Sequence, residues 1–210
     1  MSDQPPAAPR AIHLSGHART AHDFYATPAW VTEALLRHVT FRGRVWEPCC
    51  GTGAIADVLL RRGYPVLASD IADHGYGTAG IDLLGCTAMP EGTGALITNP
   101  PYGDGGEQRE RPRAPSALLD LLRHMLRLTG AADAQLALLV RLQWIAGQRA
   151  SALIQAAPCT RIIALTRRIR WFEQGAATNG AQHHHAWLVF DHATSRARRR
   201  RAAPAFSFAD

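Results

Sequence analysis

The sequence predicts an α/β domain: a mostly parallel, doubly wound sheet covered by helices on both faces. Three observations predict it. Short, nearly all-apolar runs recur, among them GRVWEP (43–48), GALITN (94–99) and AQLALLVRL (134–142), which is how strands buried on both faces read. Segments with helical spacing alternate with them. The first strand runs directly into a G-x-G turn that opens a helix, Gly51-Thr52-Gly53.

Residues 1–21 are polar and proline-bearing and are expected to be disordered or arm-like. Thr27 is placed to cap a helix with Pro28 in its first turn, and AWVTEALLRHV carries helical apolar spacing. After the first strand, GTGAIADVLLRRG (51–63) reads as a glycine turn feeding a helix that stops at Gly63. YPVLASD (64–70) is a second strand ending in an acid, and 72–85 is a loop with Asp82 near its end. GALITN is the next strand. Residues 103–115 are polar and proline-punctuated, a long mobile loop. Then come a helix (116–130), a buried strand (134–142), a helix (146–157), a strand (160–166), a long loop (167–182) and a last strand, HHAWLVFD (184–191). A loop rather than a helix precedes that last strand, so it is expected to insert antiparallel near an edge. The boundaries are an arm over 1–21, one domain over 22–192 and a basic tail over 193–210.

The chain has 210 residues, enough for one core of ordinary size. No apolar run is long enough to span a membrane. The N-terminus lacks the pattern of a signal peptide, and a cytoplasmic location is expected. All 23 basic residues are arginine, and the formal net charge is +6. RARRRR (196–201) supplies five of those charges and reads either as a nucleic-acid contact or as a solvated end. Cys49, Cys50, Cys86 and Cys159 form no C-x-x-C pair and are expected to be reduced thiols. The histidine run 183–185 lacks matching cysteines, so no metal is expected.

The turn and its acids point to a ligand. A G-x-G turn lets a ligand approach the backbone, with helix N–H groups aimed at it. A dinucleotide site wants a third glycine, where this chain has Ala56. Glu47, at the end of the first strand, repels a pyrophosphate but suits an amine. Asp70, ending the second strand, can accept both hydroxyls of a ribose. Asp82 can accept an exocyclic amino group. An amine, a ribose and an adenine without phosphate describe S-adenosylmethionine.

Asn99-Pro100-Pro101-Tyr102 follows the strand expected beside the first one, at the carboxyl edge where such sheets bind ligands. Asn-Pro pairs also mark plain turns. Yet each position suits methyl transfer to an aromatic amino group. That nitrogen is a poor nucleophile, because its lone pair is delocalised into the ring. Two acceptors aimed at its protons, the Asn99 side-chain oxygen and the Pro100 carbonyl, localise charge on it. Proline has a fixed φ, and Pro101 restricts Pro100 further, so the carbonyl direction is preset. Tyr102 offers a face for the target ring. A base in a duplex must first be flipped out.

These motifs resemble the DNA amino-methyltransferases of the N6-adenine and N4-cytosine group, in particular small phage- and prophage-type members. EPCCGTG is similar to their cofactor motif, NPPY to their catalytic motif, and DFYATPAWVTEALL (23–36) to the upstream motif that closes over the cofactor. RLQWIAGQR, LTRRIRWF and HHHAWLVFD have look-alikes there too. The resemblance implies a Rossmann-like class I methyltransferase fold and S-adenosyl-L-methionine as cofactor. It implies that Tyr25, Thr27, Pro28, Trp30, Glu47, Pro48, Cys49, Gly51, Gly53, Asp70, Ile71, Asp82 and Asn99 line the cofactor pocket, with Asn99 to Tyr102 catalytic. Cys49 stands where the family has an aromatic residue. No long target-recognition segment follows the catalytic motif. DNA contacts fall instead to Arg109, Arg111, Arg113, Arg167, Arg168 and Arg170, with Trp171 and Phe172 to stack or fill a gap. Most of all, the resemblance implies methylation of adenine N6 in DNA. An amino group on RNA, a glutamine amide of a protein, or an inactive nucleic-acid-binding regulator are the alternatives.

Overall fold

The computed structural model describes residues 26–102, 117–171, 183–193 and 203–210. Their strands form one seven-stranded sheet in the order β2-β1-β3-β4-β6-β5-β7. Strands β1 (Arg44–Glu47), β2 (Val66–Ala68), β3 (Thr93–Thr98) and β4 (Gln135–Arg141) pair in parallel. Strand β6 (His185–Asp191) runs antiparallel to β4 on one side and to β5 (Cys159–Leu165) on the other.

Side chains alternate across the sheet and divide the core in two. On one face Ala95, Ile97, Ala137, Leu139, Trp187 and Val189 meet helices α1 (Ala29–Leu36) and α2 (Ala54–Arg61). On the other, Leu96, Leu136, Leu138, Leu188 and Phe190 meet α3 (Ala117–Ala131) and α5 (Gln148–Ala156). Both faces of the inner strands are buried, which is why their sequences read as continuous apolar runs. The Trp187 indole N–H donates to the Val31 carbonyl at 2.9 Å and ties α1 to the sheet. Arg42, just before β1, grips the Asp191 carboxylate at the end of β6 with both terminal nitrogens at 3.0 Å.

Three expectations change. The stretch read as a basic tail contains a strand: β7 (Ala205–Ala209) pairs in parallel with β5 and forms the sheet edge. Its period-2 pattern, AFSFA, was overshadowed by the preceding arginine run. Strand β6 is antiparallel as expected but lies between β4 and β5, two strands in from the edge rather than beside it. Thr27 makes no capping hydrogen bond: Pro28 is the N-cap of α1, and the Thr27 hydroxyl is engaged elsewhere. A four-residue helix, α4 (Leu142–Ile145), follows β4 directly. A 3-10 turn, Leu83–Gly85, sits within the loop before β3.

Candidate active site

Strands β1 and β3 are parallel neighbours, with Trp46 opposite Leu96, so both release their chains at the same sheet edge. The glycine turn leaves β1 there and Asn99 leaves β3. Gly51 and Gly53 have φ of 51° and 84°, the left-handed region that favours glycine. Asp70 braces the turn: one carboxylate oxygen accepts the Gly51 N–H at 2.9 Å and the other accepts the Ala72 N–H at 3.0 Å. Each oxygen keeps a lone pair for a further donor.

Tyr76 lies directly against this turn. A Cβ on Gly53 would meet its ring at 2.4 Å, and the phenol donates to Asp57 on α2 at 3.0 Å. Gly53→Ala must displace the ring and hold alanine at positive φ. We expect it to cost about 2 kcal/mol, or ~4–8 °C in Tm. Thermal denaturation checks this, and the Gly53→Ala/Tyr76→Ala double variant should recover part of the loss. An unchanged Tm for Gly53→Ala would show that the contact is slack.

Glu47 closes β1 and is 1% exposed. Burial pushes its carboxyl well above the usual range, the Ala56 N–H opposes this, and Asp70 and Asp57 add to it. Among the described residues its Oε2 has no hydrogen-bond partner. A buried carboxylate oxygen left unmet is costly, and a cationic donor from a ligand would meet it. The residues here thus fit the amine expected from the sequence. Around it, Pro48 is buried and Cys49 packs against the second core. The neighbouring Cys50 thiol is pushed up to about 12 by burial, which leaves it unreactive. Ile71 is exposed beside Asp70. Asp82 caps the 3-10 turn by accepting the Leu84 N–H at 3.0 Å.

The Asn99 side chain is held at both ends. Its amide nitrogen donates to the Thr27 hydroxyl at 3.1 Å, and its oxygen accepts from the Tyr102 phenol at 2.7 Å. The phenol also lies 3.2 Å from the Leu139 carbonyl. One lone pair of the Asn99 oxygen remains for a substrate N–H. Pro100 is buried, and no hydrogen bond takes its carbonyl among the described residues.

Sequence reasoning missed the other wall. A cavity of about 280 Å³ is lined by Tyr102, Leu118, Arg141, Gln143 and Trp144. The Arg141 guanidinium lies 5.5 Å from the centre of the Tyr102 ring. His185 sits beside Tyr102, ring centres 6.0 Å apart, and meets Trp171 edge-on at 5.3 Å. The signal available was position: RLQW begins at the carboxyl end of β4, at the same edge as NPPY. The histidine run does not form a metal cluster, and no group of three His, Cys, Asp or Glu side chains converges among the described residues.

Arg167 stacks on Trp30, 4.7 Å from its ring centre. Arg168 donates to His184 at 3.2 Å, and Arg170 is exposed. Tyr25, Arg109, Arg111, Arg113, Phe172, the 1–21 arm, the 103–115 loop and the 196–201 run lie outside the described residues, as does most of the 167–182 loop.

No family model and no curated protein matches the sequence. Solved structures do. A proposed class I S-adenosylmethionine-dependent methyltransferase from Listeria monocytogenes superposes with a TM-score of 0.58 at 14% identity, covering 93% of this chain and 68% of the other. The chain has the class I methyltransferase fold. The modification subunit of a proposed type I restriction enzyme from Vibrio vulnificus YJ016 gives 0.51 at 16% identity, over 88% of this chain. A proposed RNA methyltransferase from Pyrococcus horikoshii gives 0.52 at 13%, covering 84% of this chain and 91% of the other. The chain spans only 47% of the restriction subunit. At these identities the likeness shows the fold alone. No helix of the described residues is long and apolar enough to cross a membrane.

Proposed function

We propose that the protein transfers a methyl group from S-adenosyl-L-methionine to the exocyclic amino group of a flipped-out base in DNA, adenine N6 by preference. One observation carries the reading. The Asn99-Pro100-Pro101-Tyr102 motif leaves β3 beside the turn that leaves β1, with the orphaned Glu47 oxygen at the foot of that turn.

The cofactor supplies an electrophilic methyl on a sulfonium. Glu47 takes its ammonium, Asp70 its ribose, Asp82 its adenine amine, and Gly51 and Gly53 give it close access to the backbone. Tyr25, Thr27, Pro28 and Trp30 close over it, and Pro48, Cys49 and Ile71 line its pocket. The Asn99 oxygen and Pro100 carbonyl accept the two amino protons of the base and draw charge onto the attacking nitrogen. The product ammonium is acidic and loses its proton to water, so no strong base is needed. Arg167, Arg168 and Arg170, with Arg109, Arg111 and Arg113, neutralise phosphates.

Expression in a methylation-free host, followed by sequencing that detects modified bases, tests this. N6-methyladenine in a short context is expected. Unmodified DNA, with labelled methyl appearing in RNA or on a protein glutamine, would move the substrate to one of those classes. Cofactor binding with no transfer to any polymer would mark a regulator.

A further inference from the structure

His185 is 2% exposed, yet among the described residues neither ring nitrogen has a partner of hydrogen-bond geometry. Buried polar groups in folded proteins are nearly always satisfied. A neutral imidazole carries one donor and one acceptor, and here neither is met at hydrogen-bond geometry by a described residue, although the His183 backbone lies near the ring. The ring is wedged between Trp171 and Tyr102, and Tyr102 in turn bonds the Asn99 oxygen. The orphaned imidazole is thus one side chain away from the acceptor assigned to the substrate amino group. Its backbone pairs with Arg141 across the β4–β6 ladder, and Arg141 lines the cavity.

Asn99 and Pro100 take the two amino protons of the target. The ring nitrogen bonded to the same carbon then enters the site as a lone pair needing a donor. Beside the motif, His185 offers a buried ring N–H that no described residue meets at hydrogen-bond geometry, next to the donors of Arg141 and Gln143 that line the cavity.

We propose that His185 binds the target base, its imidazole N–H donating to the ring nitrogen next to the amino group that is methylated. This rests on the amino-methyltransfer reading above. The ring nitrogen in question is N1 of adenine or N3 of cytosine. Burial first, and then the Arg141 charge, push the imidazole down to about 4, offset only in part by the His183 backbone. The ring is therefore neutral at physiological pH, with one N–H to give.

The test uses the full chain and oligonucleotide duplexes carrying the mapped target site. In half of them the target base is replaced by 1-deazaadenine, or by 3-deazacytosine if cytosine is the target. His185→Ala is expected to lower kcat/KM on the natural base by about 10- to 100-fold, with cofactor affinity unchanged. The deaza base should cost the wild type a similar factor and cost His185→Ala nothing further. Altered base pairing affects both enzymes equally and cancels in this cycle. His185→Gln, which keeps an N–H, should recover part of the activity. Losses that simply multiply, or a wild type indifferent to the deaza base, overturn the assignment while leaving the methyl-transfer reading intact. The wild-type deaza measurement stands even if His185→Ala fails to fold. A wild type that methylates no DNA amino group overturns both.

Discussion

Asn99→Ala is expected to lower the rate of methyl transfer by at least about 10²- to 10³-fold, the scale seen when one preorganised polar group at a reacting atom is removed. The structure explains why the loss should be that large. The side chain is not a free rotor: Thr27 holds its nitrogen at 3.1 Å and Tyr102 holds its oxygen at 2.7 Å. The amide plane is set before the base arrives, so no reorganisation is needed at the moment of reaction. Alanine removes one acceptor and leaves the Pro100 carbonyl, which cannot localise the lone pair alone. Cofactor affinity should largely persist although Asn99 borders the pocket, because the ammonium and ribose are assigned to Glu47, Asp70 and the glycine turn, on β1, β2 and their sequels. Single-turnover kinetics at saturating cofactor, with the dissociation constant measured separately by calorimetry, distinguishes the two effects. Thr27→Val serves as the control. It keeps the acceptor and removes the bond that orients it; because Thr27 also borders the cofactor, its rate is compared at saturating cofactor, where its loss should be smaller. Equal transfer rates in wild type and Asn99→Ala would remove the mechanism.

The fold was legible wherever local pattern and tertiary context agree. The central residues of strands β1, β3 and β4 are apolar because helices cover both faces, and the glycines after β1 have the positive φ that a G-x-G turn suggests. Strand β7 was lost because arginines dominate the segment before it, while Phe206 and Phe208 alternate like any edge strand. The inner position of β6 was not legible either, since pairing order is a long-range property. In the site, NPPY and the glycine turn are contiguous and could be read. The other wall could not. Arg141, Gln143 and Trp144 are separated from Tyr102 by a whole helix and strand, and only the β3–β4 register brings them together. His185 looked like one member of a histidine run. What distinguishes it is burial between two aromatic rings, which no local spacing encodes. Thr27 shows the opposite case. A capping residue is the natural local reading, but Asn99, 72 positions away, takes its hydroxyl.

Glu47→Gln is expected to weaken the cofactor by about 10²-fold or more and to stabilise the free protein at neutral pH and above. The two effects share a cause. In the unfolded chain a glutamate ionises near pH ~4.3. In the fold, burial keeps the Glu47 proton on well past that, and Asp70 and Asp57 strengthen the effect. Between these two values the folded state carries one proton more than the unfolded state. Stability contributed by Glu47 is therefore full below the unfolded value and is lost as pH rises toward the native one, at up to ~1.4 kcal/mol per pH unit. Glutamine has the same shape and no such slope, so the Tm of the variant should overtake that of the wild type as pH rises. Binding reverses the preference. A ligand ammonium at the unmet Oε2 stabilises the carboxylate, so the wild type should release a proton on binding and bind more tightly as pH rises above the ordinary carboxylate range. Glutamine keeps the volume but removes one partner of a buried charge pair, a loss of about 3–5 kcal/mol, and its affinity should stay flat over the same rise in pH. Calorimetry in two buffers of different ionisation enthalpy counts the released proton directly. Equal affinities with no proton release in either protein would take Glu47 out of the cofactor site, and the ligand assignment would then have to rest on the glycine turn and Asp70 alone.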